Sequence, residues 1–251
     1  MNININFKYL NVLVFAVWCM PSWGSEPCPQ NNADIVGIAV EGDDGQFLYC
    51  ERYFQLDDTR WRVEYSRGDK LIVQKNIDYL LGGQAPLVEQ KDYRTGELRK
   101  VSLSEDQLQW RVAYRLNTGA TAESKDVVKE GAQVIDAGFD SFVRQQWDVI
   151  DKGGAVVFDF LSIPHLKSIA LRASRVDNKK CGSFNVEVEG GVCISVAANS
   201  RLLRFFVDPL TLLYDAQQRL IVFNGVVNVQ SADAKSQTAT ISYRYKSDDM
   251  R

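Results

Sequence analysis

Apolar and polar residues alternate with a period of two along most of this chain. The clearest segment is QLQWRVAYRL, residues 107–116, in which Leu108 and every second residue after it are apolar or aromatic. The segment TRWRVEYSR repeats the pattern, with Trp61, Val63 and Tyr65 on one face. Successive side chains of a β-strand point to opposite faces of its sheet, so this alternation predicts strands with one buried face. We therefore expect a mainly β protein.

Turn-forming residues separate the alternating segments. The sequences EGDDGQ, SRGDK, YRTGEL and DAQQR each place Gly, Asp or both between two apolar runs. These residues adopt the backbone conformations that tight reversals require. We expect about ten to twelve strands in one curved antiparallel sheet, either a half-barrel or an open barrel.

The stretch near 117–133 is polar and low in large apolar residues. No Pro-rich or Ser-rich segment insulates its two sides, so we interpret it as a long connection inside a single β-rich domain, residues 25–251. The alternative is a linker between two β-rich halves.

One amphipathic helix stands out in this β-rich sequence. Apolar residues recur at spacings of three and four, which places them on one helical face, at Phe139, Phe142, Val143, Trp147 and Ile150. A lone helix with one apolar face must bury that face. We therefore expect helix 139–150 to pack in the concavity of the sheet.

The first 24 residues have the pattern of a secretory signal peptide. Lys8 supplies the positive flank, an apolar segment runs from Tyr9 to Met20, and Ser22 and Gly24 are small residues near the expected cleavage site. The apolar segment is too short to span a bilayer as a stable helix, and no later segment is apolar enough to do so. We expect an exported periplasmic protein without a stable transmembrane anchor; a retained anchor is the alternative.

Cysteine usage agrees with export. Beyond the predicted signal peptide four cysteines remain, which allow three pairings. Cys28–Cys50 and Cys181–Cys193 would each close a short loop around a candidate hairpin. We predict these two disulfide bonds, each stabilising the fold by about 2–3 kcal/mol.

Charge and motif content narrow the range of functions. The formal net charge is −3 and no basic run is present, so we expect no nucleic-acid partner. With one histidine and no Cys-x-x-Cys pair, we expect no metal site. The acidic turn at Glu41, Asp43 and Asp44 leaves a calcium site as an alternative to simple solvation. The sequence has no phosphate-binding loop or nucleotide fingerprint, so we also expect no cofactor.

The only histidine, His165, follows Pro164 at a predicted strand end. Ser162 precedes it by three residues, but residues so spaced across a proline bend need not face each other. No Gly-x-Ser-x-Gly nucleophile elbow is present. We interpret His165 as a solvated turn residue and predict no catalytic residue. An envelope hydrolase that uses His165 and a carboxylate is the alternative.

Aromatic residues are numerous enough to line a cavity between the sheet and the helix. The candidate ligand-binding residues are Trp61, Trp110, Phe139, Phe142, Trp147 and Phe206. Arg144, Arg201 or Arg204 could face an anionic headgroup. The alternative is that the aromatic side chains simply fill the core.

Two segments carry a resemblance. GFDSFVRQQWDVIDKGGAVVFDFLSIP and LLRFFVDPLTLLYDAQQRLIVFNGVVNV together resemble a group of exported bacterial proteins of unknown function, through Tyr214, Asp215, Leu220, Gly225 and Asn228. The strand-rich pattern is also similar in outline to the lipoprotein-carrier (LolA/LolB-type) half-barrel, whose curved sheet wraps around helices and holds acyl chains. This second resemblance is architectural, and it implies an acyl-chain ligand by analogy.

These observations lead to one preferred hypothesis. We expect a non-catalytic binding protein of the bacterial envelope that holds an apolar or amphiphilic ligand, such as a lipid, between helix 139–150 and the sheet. An interaction or assembly factor with a filled core, acting on an envelope protein partner, is the first alternative. The envelope hydrolase is the second.

Overall fold

The structure is a computed structural model that describes residues 27–42, 45–131, 133–181, 188–200 and 208–246. The predicted signal peptide lies outside these ranges, as do Asp43, Asp44, Arg201, Arg204 and Phe206. Within the described ranges, no helix combines the length and the apolar character needed to cross a membrane.

The described residues form fifteen strands in one sheet. The first eight are β1 (Ile35–Glu41), β2 (Gln46–Gln55), β3 (Arg60–Arg67), β4 (Lys70–Asp78), β5 (Leu87–Asp92), β6 (Leu98–Leu103), β7 (Gln109–Arg115) and β8 (Glu123–Val128). The other seven are β9 (Gln133–Val134), β10 (Ala155–Ser162), β11 (Lys167–Arg175), β12 (Val192–Ala198), β13 (Leu210–Tyr214), β14 (Leu220–Val226) and β15 (Thr238–Tyr245).

Strands that follow each other along the chain are neighbours in the sheet, except β8 and β9, which lie at opposite edges. The spatial order runs from β8 back to β1, then from β15 back to β9, so that the first and last strands pair at the centre. All pairs are antiparallel apart from the short parallel pair of β9 and β10. The sheet is open, with β8 and β9 at its edges. This confirms the predicted curved antiparallel sheet with a helix.

The sheet has more strands than the ten to twelve predicted from the sequence. One reason is β8, which lies inside the expected polar connection near 117–133. Five of its six residues are exposed, because it is an edge strand held only by its pairing with β7. A strand that buries neither face has no apolar alternation, so a search based on hydrophobic period cannot detect it.

The predicted helix is present but is divided in two. Helix α1 spans Gly138–Gln145 and helix α2 spans Trp147–Asp151, with Gln146 between them at φ −97° and ψ 9°. The amide of Gln146 donates to two carbonyls, those of Phe142 and Val143. Such a shared hydrogen bond tightens the backbone towards a 3-10 turn. Because the helical bond to Phe142 is kept, the chain does not change direction sharply, and the apolar face continues from α1 into α2.

The apolar face of the two helices packs against the β10–β13 part of the sheet. The ring of Phe142 lies 4.6 Å from that of Phe158 on β10, and Trp147 meets Tyr214 on β13 edge to face at 5.5 Å. Phe142, Val143 and Ile150 are almost completely buried. The predicted role of this face in packing on the sheet is therefore confirmed.

Two disulfide bonds are present. Cys28 is bonded to Cys50 on β2, and Cys181 is bonded to Cys193 on β12. These are the two bonds expected from the short loops that they close. Each anchors a loop to the sheet: the first holds the segment before β1, and the second holds the segment after β11.

Candidate ligand-binding cavity

A cavity of about 500 Å³ lies between the sheet and the chain segment that enters and forms helix α1. From the helix side it is lined by residues between Asp136 and Arg144. Apolar residues of five strands and of the connection after β14 form much of the sheet side: Val63, Ile77, Leu212, Phe223, Val227 and Ile241. The lining also includes Asp58 and Arg144, which are exposed to solvent.

Strand pairing brings the polar part of the lining together. On β2, Glu51 is the register partner of Tyr65 on β3 and of Gly37 on β1. Gly37 is in turn the partner of Tyr243 on β15. Register partners of adjacent strands point to the same face of a sheet, so Glu51, Tyr65 and Tyr243 all face the cavity.

Glu51 is a buried carboxyl group in this polar region. It is 4 % exposed, and its Oε2 accepts hydrogen bonds from the hydroxyls of Tyr53, at 2.8 Å, and Tyr243, at 3.2 Å. Burial raises the pKa of Glu51 above its usual range, while the two tyrosine hydroxyls and the nearby Lys75 act in the opposite direction. Among the described residues, the hydrogen-bond donors to this buried carboxyl group are two neutral hydroxyls.

A buried ion pair lies beside Glu51. The Nζ atom of Lys75 on β4 is 2.6 Å from Oδ1 of Asp136, and each side chain is 4 % exposed. Oδ2 of Asp136 accepts a hydrogen bond from Nδ2 of Asn228 at 2.9 Å. Both oxygens of Asp136 therefore have partners, as a buried carboxylate requires.

The polar network continues from Asn228 towards β5 and β6. Its side-chain oxygen accepts from Nη1 of Arg99, and its backbone carbonyl accepts from Nε2 of Gln90, both at 2.9 Å. Arg99 also donates two hydrogen bonds to Oε1 of Glu97. These contacts tie the start of the helix segment and the connection after β14 to the β4–β6 part of the sheet.

Asp136 has a backbone conformation that few residues adopt. Its φ is +43°, in the left-handed region, two residues before helix α1. Asp is among the residues that tolerate this region best, because its short polar side chain finds local partners. The conformation directs the carboxylate into the polar network at Lys75 and Asn228 rather than onto the first turn of the helix, which has no side-chain cap.

The structure separates the predicted ligand-binding aromatic residues into two groups. Trp61 and Phe139 belong to the described lining of the cavity. Phe142 and Trp147 are packed between the helices and the sheet, and Trp110 lies in another apolar cluster with Ile135 and Leu161. A ligand-binding role for these residues stays a prediction. Of the five, Trp61 and Phe139 are the ones that line the cavity.

Trp110 is held by polar contacts as well as by apolar packing. Its indole Nε1 donates to Oε1 of Gln133 at 2.7 Å, and the ammonium of Lys129 lies 4.5 Å from its ring centroid. Both partners come from the chain around β9, so Trp110 helps to fix that sheet edge.

Arg144 is already engaged in an ion pair. Its Nη2 is 2.9 Å from Oδ2 of Asp140, one helical turn earlier. The suggested anionic headgroup would have to compete with this carboxylate. The other two suggested residues, Arg201 and Arg204, lie outside the described residues.

Ser162 and His165 face each other, although their spacing across a proline bend does not require it. The Oγ atom of Ser162 is 2.7 Å from Nδ1 of His165, across a 3-10 turn that spans Ile163–His165. His165 is exposed, as expected, whereas Ser162 is 7 % exposed. Neither residue is part of the described lining of the cavity.

Sequence reasoning did not identify Glu51, Lys75 and Asp136 as site residues. A signal for the first two exists in the alternation pattern. Glu51 stands between Tyr49 and Tyr53, and Lys75 stands between Val73 and Ile77, so each charged residue occupies an inward position. A charge at such a position marks either a buried polar network or a binding site.

Comparisons with protein-family models and with curated proteins do not assign a function to this cavity. No protein-family model matches the chain, and no curated protein matches it significantly. Within the described residues, no cluster of three or more His, Cys, Asp or Glu side chains has an arrangement that could hold a metal ion.

The residues that carried the sequence resemblance surround the helix and the cavity. Tyr214 packs on Trp147, and Leu220 belongs to the cavity lining. Asp215 accepts hydrogen bonds from the turn that precedes β14. Gly225 lies against Leu210, leaving no room for a Cβ atom, and Asn228 joins Asp136 to Arg99.

Proposed function

We propose that this chain is an exported, non-catalytic binding protein of the bacterial envelope that holds an apolar or amphiphilic ligand in the cavity between helix α1 and the sheet. The observation that carries the proposal is the cavity itself, about 500 Å³ with a mainly apolar lining and one buried polar region. Small-molecule sites have volumes of roughly 300–1,000 Å³ and combine apolar walls with a few placed polar groups.

The energetics favour an apolar portion of the ligand. Each Å² of apolar surface that a ligand removes from water contributes about 25 cal/mol. The side chains of Phe139, Leu220 and Phe223 line the cavity and are only partly buried, so they offer apolar surface that a ligand can cover. A filled core, as expected for a pure assembly factor, would leave no such space.

Two structural disulfide bonds support an oxidising compartment. Disulfides of this kind form and persist in exported proteins and are rare in the cytosol. They are in keeping with the proposed periplasmic location, which rests on the signal-peptide pattern of residues 1–24.

Native mass spectrometry of the protein, purified gently from bacterial periplasm, tests this function. We expect a stoichiometric extra mass that lipid extraction removes. In Leu220→Trp, an indole at a lining position should fill part of the cavity and displace the ligand. Ile221→Trp is the matched control, because Ile221 is outside the cavity lining and packs against the apolar cluster that contains Cys193 and Leu213.

The outcomes separate the alternatives. Loss of the extra mass in Leu220→Trp but not in Ile221→Trp would establish the cavity as the binding site. If the protein carries no extra mass, titration with dodecanol tests the same cavity by calorimetry. Failure of dodecanol and of its amine and carboxylate analogues to bind would sink the proposal and direct the search to a protein partner.

A hydrolase is a second candidate on one observation, the 2.7 Å contact between Ser162 Oγ and His165 Nδ1. A serine hydroxyl next to an imidazole is the arrangement that activates a nucleophile. The test is hydrolysis of a p-nitrophenyl ester by the purified protein and by His165→Ala. Activity that depends on His165 would support this candidate; equal background rates would exclude it.

A further inference from the structure

We infer that the ligand of this cavity carries a cationic amine, which binds the carboxylate of Glu51 beside the rings of Tyr53, Tyr65 and Tyr243. This inference rests on the proposed function and adds the chemical class of the ligand's polar group. It follows from the charge balance of the cavity, from the unshared position of Glu51, and from the aromatic rings around it.

The lining of the cavity contains more acidic than basic groups. Its charged residues are Glu51, Asp58, Lys75, Asp136, Asp140 and Arg144. Each of the two basic residues already has a carboxylate partner, since Lys75 is paired with Asp136 and Arg144 with Asp140. The carboxylates of Glu51 and Asp58 have no cationic partner within salt-bridge distance among the described residues. Of these two, only Glu51 is buried.

The hydrogen bonds of Glu51 leave one oxygen open. Both tyrosine hydroxyls donate to Oε2, and no described residue donates a hydrogen bond to Oε1. An ionised carboxylate in a buried site is costly unless a positive charge or further donors accompany it. The ammonium of a ligand would supply both at Oε1.

The rings around Glu51 suit a cation as well. Tyr53 and Tyr243 meet edge to face with their ring centroids 6.3 Å apart. Tyr65 is the register partner of Glu51 on the adjacent strand β3. Aromatic faces attract ammonium groups, most strongly where water is excluded. The ammonium of Lys75 already lies 6.0 Å from the ring centroid of Tyr65. An ammonium at Glu51 would lie beside the carboxylate and the hydroxyl ends of Tyr53 and Tyr243.

The same charges disfavour an anionic headgroup. A carboxylate or phosphate in this region would face Glu51, and the nearest cation, Lys75, is held 2.6 Å from Asp136. Like charges in a buried site repel strongly, because little water screens them. The acyl part of an amphiphile can still occupy the apolar walls whatever its headgroup.

Three probes with the same chain test the inference: dodecylamine, dodecanol and dodecanoate. Each is titrated by calorimetry near neutral pH into the purified protein with its disulfide bonds intact. Dodecylamine and dodecanoate are kept below their critical micelle concentrations and dodecanol below its solubility limit. A charge-assisted hydrogen bond makes dodecylamine the tightest ligand, by at least about tenfold over dodecanol. Dodecanoate should bind most weakly.

Two variants assign the preference to Glu51. Glu51→Gln is isosteric and should remove the roughly tenfold preference for dodecylamine over dodecanol. Glu64→Gln is the matched control: Glu64 lies on the adjacent strand β3, pairs with Arg62 and is outside the cavity lining. It should leave all three affinities unchanged.

Tyr243→Phe provides a second route if Glu51→Gln folds poorly. It keeps the ring in place but removes one hydrogen bond from the Glu51 carboxylate. We expect the ratio of dodecylamine affinity to dodecanol affinity to fall several-fold.

The results distinguish this inference from the proposed function. Equal binding of dodecylamine and dodecanol, or an amine preference that persists in Glu51→Gln, would overturn the inference and leave a lipid-binding cavity. If none of the three probes binds, both the inference and the proposed function fail.

Discussion

The ring of Tyr243 lies over the backbone of Gly37, and this contact allows Tyr243 to reach Glu51. Gly37 is on β1, between Glu51 on β2 and Tyr243 on β15, and it is the register partner of both. A Cβ atom built on Gly37 would lie 2.9 Å from Cε1 of Tyr243 and 3.0 Å from Cγ2 of Ile241. A tyrosine can therefore bridge β1 only because the intervening residue has no side chain.

Replacing Gly37 by alanine should destabilise the protein by about 1–3 kcal/mol, the usual cost of overpacking a tight site. The added methyl group must displace the Tyr243 ring, which would lengthen its 3.2 Å hydrogen bond to Glu51. Urea unfolding gives the free energy. Gly119→Ala serves as control, because its nearest neighbour would be an ordinary contact at 3.4 Å. Equal stabilities of the two variants would contradict this account.

The buried carboxyl group of Glu51 should make stability depend on pH. Burial raises its pKa in the folded protein above the unfolded value of about 4.3, so the folded state keeps a proton that the unfolded state releases. The contribution of Glu51 to stability is then greatest below the unfolded pKa and falls as pH rises through the folded pKa.

The variant Glu51→Gln removes this dependence. We expect it to become more stable relative to the wild type as pH rises from about 4 towards 8. Urea unfolding of both proteins across that range measures the difference. A difference that stays constant, or decreases with pH, would show that Glu51 does not have a raised pKa.

Breaking the ion pair between Lys75 and Asp136 should be costly on either side. Asp136→Asn keeps the size of the residue and its tolerance of positive φ, but leaves the Lys75 ammonium buried without its ion-pair partner. We expect a loss of about 3–5 kcal/mol in the free energy of unfolding. In a double-mutant cycle, Lys75→Met combined with Asp136→Asn should cost clearly less than the sum of the single changes. Additive costs would mean that the two groups are independent.

Phe139 and Phe142 should respond differently to truncation, although both contact Phe158. Phe142 is 1 % exposed and away from the cavity lining, so Phe142→Ala should cost about 3–5 kcal/mol and leave dodecanol affinity unchanged in the protein that remains folded. Phe139 lines the cavity, so Phe139→Ala should cost less stability and alter dodecanol affinity. Thermal unfolding measures the loss of stability, and calorimetry measures the dodecanol affinity of the same samples. Equal changes of both quantities in the two variants would refute the prediction.

The sequence by itself determined the features that depend on local pattern. Alternation predicted the inward faces of Trp61, Val63 and Tyr65, and spacings of three and four predicted the helical face of Phe142 and Ile150. The disulfide bonds followed from the short loops that they close. Local geometry fixes the direction of each side chain relative to its own strand or helix, so these features can be deduced from neighbouring residues.

The candidate site required the tertiary structure. Glu51 and Tyr243 are separated by 192 residues and Lys75 and Asp136 by 61. The sequence does not state that β1 pairs with β15 or that Asp136 meets Lys75 on β4. Trp110 shows that an inward direction alone does not identify a cavity residue. It is aromatic and inward-facing, yet it lies in a different apolar cluster. An inward direction is a local property of the strand, whereas the neighbours that a side chain meets there depend on the order in which distant strands assemble.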